Sequence, residues 1–400
     1  MTINKKWNFT FIFHGIAFGM LPTLIPLYFT SSLNGSLVDF GVMSAFATLF
    51  SILTSVYAGK LPQKYGKLKP FILISFLLSS IFLFALSNSK NIFLFQFFYI
   101  LLGITNTIYT PSTRVLIAET HPKNDWNRMF AKHSLIVGFS NTFGLAICSF
   151  FVLSVGYGTL LSICAPLVFA SFFAGFLIIE DPPLHVERWL NRIGRSIDDL
   201  ESFSYWVSDM RSAVGFHLKP TVNSALFGVG TLIFILASSS AFSALPIFLN
   251  EVIGMPPELI FAVFFCRSFV GAISFIVVGK LIGKGNEENA IKFASIARTL
   301  LVIILLLMVF LSKLSPILVV LFLSAVTFSW SLYDVGSTTI IMNYSNESST
   351  GIYDALGGIG SVVGGLLSGL IPAIFGFNIL FILALVLFSI SAIMFWKAMS

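Results

Sequence analysis

The chain has 400 residues, of which 56% are hydrophobic and only 10% are charged. A water-soluble protein needs about a quarter of its residues charged to cover its surface. The composition therefore excludes an ordinary soluble enzyme, a disordered chain and a nucleic-acid-binding protein with a basic face. The net charge of +6 is then explained by where lysine and arginine lie relative to a membrane, not by an acidic partner.

Twelve apolar segments are each long enough to cross a bilayer, which needs about 20 residues per helix. They are helices rather than strands, because they lack strict alternation and because backbone groups in lipid must satisfy one another within the segment. Short loops between most of them predict antiparallel neighbours and an all-α membrane protein. The predicted spans are 9–30, 37–58, 70–88, 91–118, 130–153, 157–179, 220–249, 257–279, 290–311, 315–342, 350–373 and 375–396.

Lysine and arginine are distributed very unevenly between the two sides of the membrane. If the N-terminus is inside, the outside loops hold only Lys90 and Lys313, and Arg114 and Arg267 stay within spans. The remaining cations, Arg298 among them, are assigned to the inside. Cytoplasmic loops carry the excess of lysine and arginine. The bias therefore predicts a multi-pass protein of the plasma membrane with both termini in the cytoplasm.

One connection is much longer than the others and divides the chain into 1–179, 180–219 and 220–400. It opens with Glu180-Asp181-Pro182-Pro183, a sequence that ends a helix. Apolar residues then recur at three- and four-residue steps from Leu190 to Met210, which predicts an amphipathic helix on the inner membrane surface. We interpret this segment as a cytoplasmic linker.

The two parts joined by the linker repeat one another. Pro26-Leu27-Tyr28-Phe29 matches Pro246-Ile247-Phe248-Leu249, and Gly59-Lys60-Leu61 matches Gly279-Lys280-Leu281, both with an offset of 220 residues. Two halves of six spans in the same orientation imply a pseudo-twofold axis along the membrane normal. Substrate sites in proteins of this type lie near the midplane between the halves.

The loop after the second span carries a family pattern of glycine, three residues, an acid, a base, one residue, glycine and further bases. Gln63 stands where the pattern has its acid, and the residues that match are Gly59, Lys64, Gly66, Lys67 and Lys69. With the repeat and the central linker, the chain resembles the major facilitator superfamily of transporters over nearly its whole length. It looks closer to general drug-efflux relatives than to sugar porters. The resemblance implies twelve helices in two pseudo-symmetric six-helix bundles.

The same resemblance implies a cytoplasmic gate, in which this loop meets the inner ends of the fourth and eleventh spans. The acids in this gate would be Glu119 and Asp354, facing the cations Lys64, Lys67 and Arg114. Glutamine at position 63 leaves the usual form of this latch incomplete. The alternative is that these lysines only set the topology.

Charged residues at membrane depth are costly and mark functional sites. Arg267 lies in the middle of the eighth span and Asp334 within the tenth. Apolar surroundings favour the protonated form of a carboxyl group, and a neighbouring arginine favours the charged form. We predict that Asp334 carries one proton per transport cycle and alternates between protonated and Arg267-bridged states. The alternative is a structural ion pair.

By family resemblance, the first, fourth, seventh and tenth spans line the substrate cavity. The candidate lining residues are Met20, Thr23, Tyr99, Asn106, Tyr109, Phe234, Ser238 and Asp334. Apolar and aromatic side chains with few polar ones suit a small amphipathic substrate.

The sequence therefore predicts a monomeric secondary active transporter that exports a small amphipathic compound by alternating access, coupled to protons. One alternative is an uptake symporter for a metabolite or organic anion, bound by Arg114 or Arg267, and another is a membrane sensor that does not transport. The sequence has no nucleotide-binding loop, nucleophile elbow or metal-ligand motif. We expect energy from a gradient, no cofactor, no metal, no catalytic residues and no nucleic-acid partner.

Overall fold

The computed structural model describes residues 7–65, 67–121, 126–181, 222–282, 286–310, 315–344 and 347–400. Throughout these ranges the regular structure is helical, without strands. The amphipathic helix predicted from Leu190 to Met210 lies outside the described residues, and of the linker 180–219 only Glu180 and Asp181 are described.

Within the described ranges, eleven long helices each contain a stretch apolar and long enough to cross a membrane. A 3-10 turn, Trp7–Thr10, leads into the first helix, and a short helix, Leu245–Ile247, with a π-helical turn, Phe248–Val252, follows the sixth. The long helices are α1 (Phe11–Ser31), α2 (Leu37–Tyr65), α3 (Lys69–Asn88), α4 (Ile92–Thr120), α5 (Trp126–Ile178), α6 (Ser224–Phe242), α7 (Pro257–Leu281), α8 (Glu287–Phe310), α9 (Pro316–Tyr344), α10 (Glu347–Phe375) and α11 (Phe377–Ala398).

Helix α5 consists of two helical segments that meet at Gly156. The backbone there has φ 76° and ψ 167°, a positive φ that glycine adopts at little cost. As one straight helix its 53 residues would extend about 80 Å, more than twice the hydrocarbon thickness of a bilayer. Gly376, 220 residues further on, has φ 83° and ψ 163° and separates α10 from α11 in the same way.

Two helix ends differ from the predicted spans. Helix α2 continues through most of the predicted loop to Tyr65, although the predicted second span ends at residue 58. Apolar length determines where a chain leaves the bilayer but does not end helical hydrogen bonding, so this helix projects beyond the membrane. Helix α6 instead ends at Phe242, before the predicted end of the seventh span. Pro246 follows shortly afterwards, and proline lacks the N–H group that a continuing helix needs.

Packing divides the helices into two groups with matching pairings. In the first group, α1 packs on α5, α2 packs on α4, and α3 packs on both α4 and α5. In the second group, α6 packs on α10 and α11, α7 packs on α9, and α8 packs on both α9 and α11. The main contacts between the groups are α2 with α10 and α5 with α7.

Close glycine contacts follow the same repeat. A methyl group at Gly144 would overlap the carbonyl oxygen of Ile16, and one at Gly364 would lie 2.6 Å from the carbonyl oxygen of Leu236. Both residues of the second contact lie 220 positions after those of the first. Glycine thus lets α1 and α5, and likewise α6 and α10, approach backbone to backbone, as small residues do in membrane helix pairs.

The interface between the groups is closed at the end that carries the loops after α1 and α6. Gly41 and Gly369 bring α2 and α10 into backbone contact at this closed end. Ser31 donates a hydrogen bond across it to Asn250, with 3.4 Å between Oγ and Oδ1. Farther along, the side chain of Ile52 lies between α2 and α10, so these two helices diverge away from the closed end.

Candidate substrate cavity

A cavity of about 990 Å³ lies between the two groups of helices. Helices α1 and α5 of the first group and α6, α7, α8 and α9 of the second line it. Helices α5 and α7 meet at its wall, where Thr142 Oγ1 lies 2.8 Å from Ser268 Oγ. The volume falls within the range of about 300–1,000 Å³ that is typical of small-molecule sites.

Apolar residues and glycines form just over half of the cavity wall, and the rest is polar, mostly serine and threonine. Its aromatic residues are Phe18, Phe242, Phe264, Phe275 and Trp330. The ionisable groups among its lining residues are Arg267, Arg298 and Asp334, all from the second group of helices. Two arginines and one aspartate give the wall a net positive charge when the carboxyl group is ionised.

Arg298 is the most deeply buried of these charges, with 3% of its surface exposed. Its Nε donates a hydrogen bond of 2.8 Å to Ser329 Oγ, whereas Nη1 has no hydrogen-bond partner. The centroids of four aromatic rings lie 5.2–5.9 Å from the guanidinium carbon, namely those of Phe234, Phe242, Trp330 and Phe388. Cation–π attraction to these rings compensates part of the lost hydration.

The assignment of Arg298 to the cytoplasmic cations was wrong. Helix α8 begins at Glu287, so Arg298 lies three turns inside the helix and at the cavity wall. Its position within the predicted span 290–311 was the available signal, because a charge that deep in an apolar helix needs local partners. The ring cage and Ser329 provide those partners.

Arg267 and Asp334 line the same cavity but are not joined by an ion pair. Arg267 Nε donates to Thr327 Oγ1 at 3.3 Å, and its guanidinium carbon lies 5.5 Å from the centroid of the Phe264 ring. In the described part of the chain, no hydrogen bond or ion pair reaches the partly buried carboxylate of Asp334. The bridged state predicted for these two residues is therefore not the one seen, and their role in proton coupling stays a prediction.

Three of the predicted lining residues, Thr23, Ser238 and Asp334, do line the cavity. Two others are covered by neighbours in their own group of helices. Met20 is fully buried between α1 and α5, with its Sδ 3.7 Å from Cys164 Sγ. Phe234 stacks on Tyr333 at 4.1 Å between ring centroids and lies behind the wall.

No described side chain of helix α4 lines this cavity, contrary to the prediction for the fourth span. Asn106 Oδ1 lies 3.0 Å from the Nε2 of buried His14, and the ring of Tyr109 lies 4.9 Å from the same imidazole. Tyr99 also packs against the buried core. These α4 residues therefore serve packing within the first group, and α5, α7 and α8 supply wall residues that the sequence did not indicate.

The start of α3 is anchored to the end of α5. Asp181 Oδ1 accepts hydrogen bonds from the backbone N–H groups of Leu68 and Lys69, at 2.8 and 2.7 Å. Lys69 Nζ donates to the carbonyl oxygen of Phe176 at 2.8 Å. Lys69 belongs to the loop after the second span that carries the family pattern, which we call the signature loop. It thus binds within its own group of helices.

The described part of the structure does not test the predicted gate. Lys67 and Arg114 are exposed, Glu119 is partly buried, and Gly59 lies within α2. Gly66 and the side chains of Gln63, Lys64 and Asp354 lie outside the described residues. The gate therefore stays a prediction.

The described residues also include no cluster of three or more His, Cys, Asp or Glu side chains that could hold a metal ion.

Comparison with known proteins agrees with this architecture. The family model described as Major Facilitator Superfamily matches residues 8–351. Multidrug resistance protein MdtG of Salmonella arizonae is 24% identical over 421 residues, covering 99% of this chain and 96% of the relative. A mutant of the nucleoside transporter NupG superimposes with a TM-score of 0.76 at 13% identity, covering 99% of both chains. The xylose transporter XylE from E. coli superimposes with a TM-score of 0.71 at 12% identity, covering 99% of this chain and 98% of XylE. The chain belongs to the major facilitator superfamily, whose members are multi-pass membrane transporters of small molecules.

Proposed function

We propose that this protein is a secondary active transporter that exports a small amphipathic compound across the plasma membrane by alternating access, driven by protons. The observation that carries the proposal is the cavity between the two groups of helices, with an aromatic wall and the unpaired carboxylate of Asp334. A wall that combines aromatic and apolar residues with polar ones suits an amphipathic cargo. Similarity along nearly the whole chain to a multidrug resistance protein favours export.

For the architecture, we propose twelve spans in two six-helix bundles, 1–179 and 220–400, joined by the cytoplasmic linker 180–219. The corresponding breaks at Gly156 and Gly376 and the matching helix pairings support this count. The lysine and arginine bias places both termini in the cytoplasm, even with Arg298 moved into the membrane. In this orientation the closed end faces outward. The proposed unit is a monomer without a cofactor.

The proposed coupling group is Asp334. Its carboxylate lies at the wall of the same cavity as two guanidinium groups, so a change in its charge alters the electrostatic potential at the cargo site. Protonation makes the residue neutral, and loss of the proton allows a bridge to Arg267 in another conformation. The cytoplasmic gate of the signature loop with Arg114, Glu119 and Asp354 would then respond to this exchange.

The test is transport by purified protein in vesicles with an imposed pH gradient, using a panel of neutral, cationic and anionic aromatic compounds. We expect Asp334→Asn to abolish the response to the gradient while downhill movement of the cargo persists. Asp39→Asn is the matched control, because Asp39 lies at the start of α2 and, among the described residues, its carboxylate accepts hydrogen bonds only from Ser36. Unchanged gradient-driven transport by Asp334→Asn would rule out this role. Ligand binding without movement in the unmodified protein would instead support the sensor alternative.

A second candidate function is proton-coupled uptake of an organic anion, which Arg267 and Arg298 favour. Protonation of Asp334 removes a negative charge from the cavity wall and so strengthens the binding of an anion. By linkage, the bound anion favours protonation to the same extent. Proton and anion then move in the same direction. Accumulation of the anion in vesicles with the outside acidic, and not in vesicles with the inside acidic, would support proton-coupled uptake over proton-driven export.

A further inference from the structure

We infer that Arg298, together with Arg267, forms an anion subsite of the cavity, and that the cargo is an amphipathic anion with one carboxylate-like group on an aromatic or apolar body. This inference rests on the proposed function in one respect, since it takes this cavity as the cargo site. It concerns the class of cargo and not the direction of transport.

The first support is an unsatisfied donor on a buried charge. Arg298 is 3% exposed, and its Nη1 has no hydrogen-bond partner. A buried charged donor without an acceptor is strongly unfavourable, more so than a neutral one. The aromatic cage offers no hydrogen-bond acceptor, and Ser329 Oγ accepts only from Nε. An oxyanion in the cavity would supply the missing counter-charge.

The second support is that no acid among the described residues fills this role. Asp334 lines the cavity but forms no ion pair with Arg298 or Arg267. Both guanidinium groups line the same cavity, so their like charges repel one another across it. An anion bound by both arginines would relieve this repulsion, and arginine matches planar oxyanions with paired N–H donors. A cationic cargo would meet two like charges, and a neutral one would leave the repulsion in place.

The third support is the neighbourhood of the two arginines. Phe242 and Trp330 contact the Arg298 guanidinium and also line the cavity, and Phe264 does the same for Arg267. The aromatic wall therefore begins directly beside the proposed anion position. A cargo with an oxyanion at one end and a ring system at the other fits this arrangement. Such an anion leaving a cell that is negative inside moves with the membrane potential, so the inference holds for export as well.

The experiment measures equilibrium binding of three matched probes to the purified full-length protein at neutral pH: 1-naphthylacetate, 1-naphthylacetamide and 1-naphthylethylammonium. They share a ring system and differ in the charge of the short arm. Charged hydrogen bonds at a buried site predict that the carboxylate binds about tenfold more tightly than the amide, and the ammonium more weakly still. Amide or ammonium binding as tight as that of the carboxylate, or no detectable carboxylate binding, would overturn the inference.

Substitutions test which arginine causes the preference for the carboxylate probe over the amide. We expect Arg298→Gln to reduce the carboxylate preference to about twofold or less, Arg267→Gln to reduce it partly, and Arg298→Lys to restore some of it. Lys292→Gln is the control, because it also removes one positive charge from α8. The Nζ of Lys292 donates to the carbonyl oxygen of Met399, and Lys292 does not line the cavity. A full preference in a folded Arg298→Gln protein would also overturn the inference. If that variant fails to fold, the inference is tested by Arg267→Gln and by the binding of the three probes to the unmodified protein.

The same probes separate this inference from the proposed function. Carboxylate preference in binding without movement in vesicles would support the anion subsite and count against a transporter. Gradient-driven movement of the amide and the ammonium at the rate of the carboxylate would support a transporter and count against the anion subsite.

Discussion

At the scale of single residues, Asp181 shows how a charge outside the apolar spans organises the helix ends. The first N–H groups of a helix have no partner within the helix, and a carboxylate there also interacts favourably with the helix dipole. Asp181 comes from the far end of α5 and accepts two such N–H groups at the start of α3. It therefore ties two helices that are distant in sequence.

Removing this tie should lower the stability of the first group of helices. Asp181→Ala leaves two backbone donors without their acceptor, and we expect a loss of about 1 kcal/mol, as for other helix caps. Thermal unfolding of the detergent-purified protein, followed by tryptophan fluorescence, measures the change. The neighbouring Glu180 is exposed, so Glu180→Ala should leave the unfolding temperature unchanged. Equal unfolding temperatures for the two variants would show that Asp181 contributes no anchoring.

The cavity residues illustrate how far sequence analysis reaches at this scale. The family resemblance implied which spans line the cavity, and Thr23, Ser238 and Asp334 on those spans do lie at the wall. The face of a helix that a residue occupies depends on which helices surround it. Asn106 was predicted at the wall because it lies on the fourth span, but it turns towards His14, a partner 92 positions away in the chain. Polarity alone could not distinguish these two environments.

At the scale of helices, the internal repeat is the feature that the sequence revealed best. An offset of 220 residues relates the breaks at Gly156 and Gly376, and it also relates the Gly144 and Gly364 contacts. Segment length and apolar composition predicted where helices cross the bilayer. They did not predict how far α2 continues in water, or that α5 and α7 meet at the cavity, because both depend on contacts with other helices.

The glycine contact between α6 and α10 can be tested directly. A methyl group at Gly364 would lie 2.6 Å from the carbonyl oxygen of Leu236 and 3.0 Å from the backbone nitrogen of Ser240. Backbone atoms cannot move aside as a side chain does, so we expect Gly364→Ala to cost about 1–3 kcal/mol. Gly279→Ala is the control, because nothing lies within 4 Å of a methyl group there. That control should be neutral or stabilising by up to about 1 kcal/mol, since alanine favours helix. Thermal unfolding of both proteins measures the difference, and equal destabilisation would argue against close packing at Gly364.

At the scale of the whole molecule, the two groups of helices meet tightly at one end and enclose the cavity between them. The contact of Gly41 with Gly369 and the hydrogen bond of Ser31 to Asn250 both lie at the closed end. Within each group, helices are joined by backbone contacts, as at Asn223, whose N–H donates to the carbonyl oxygen of Ala398. Alternating access of a cargo requires the contacts between groups to break while those within a group persist.

This difference predicts opposite effects for two cross-links. Ser31→Cys with Asn250→Cys, joined by a short bifunctional reagent, would fix the closed end, and we expect transport in vesicles to fall to background while the cavity still binds its ligand. Asn223→Cys with Ala398→Cys joins α6 to α11 within the second group and should leave transport near that of the unmodified protein. Each single-cysteine variant treated with the same reagent controls for labelling alone, and a cleavable reagent allows activity to be restored. Full transport with the closed end cross-linked would mean that the groups do not separate there, because a cargo leaving by that end needs Ser31 and Asn250 to move apart.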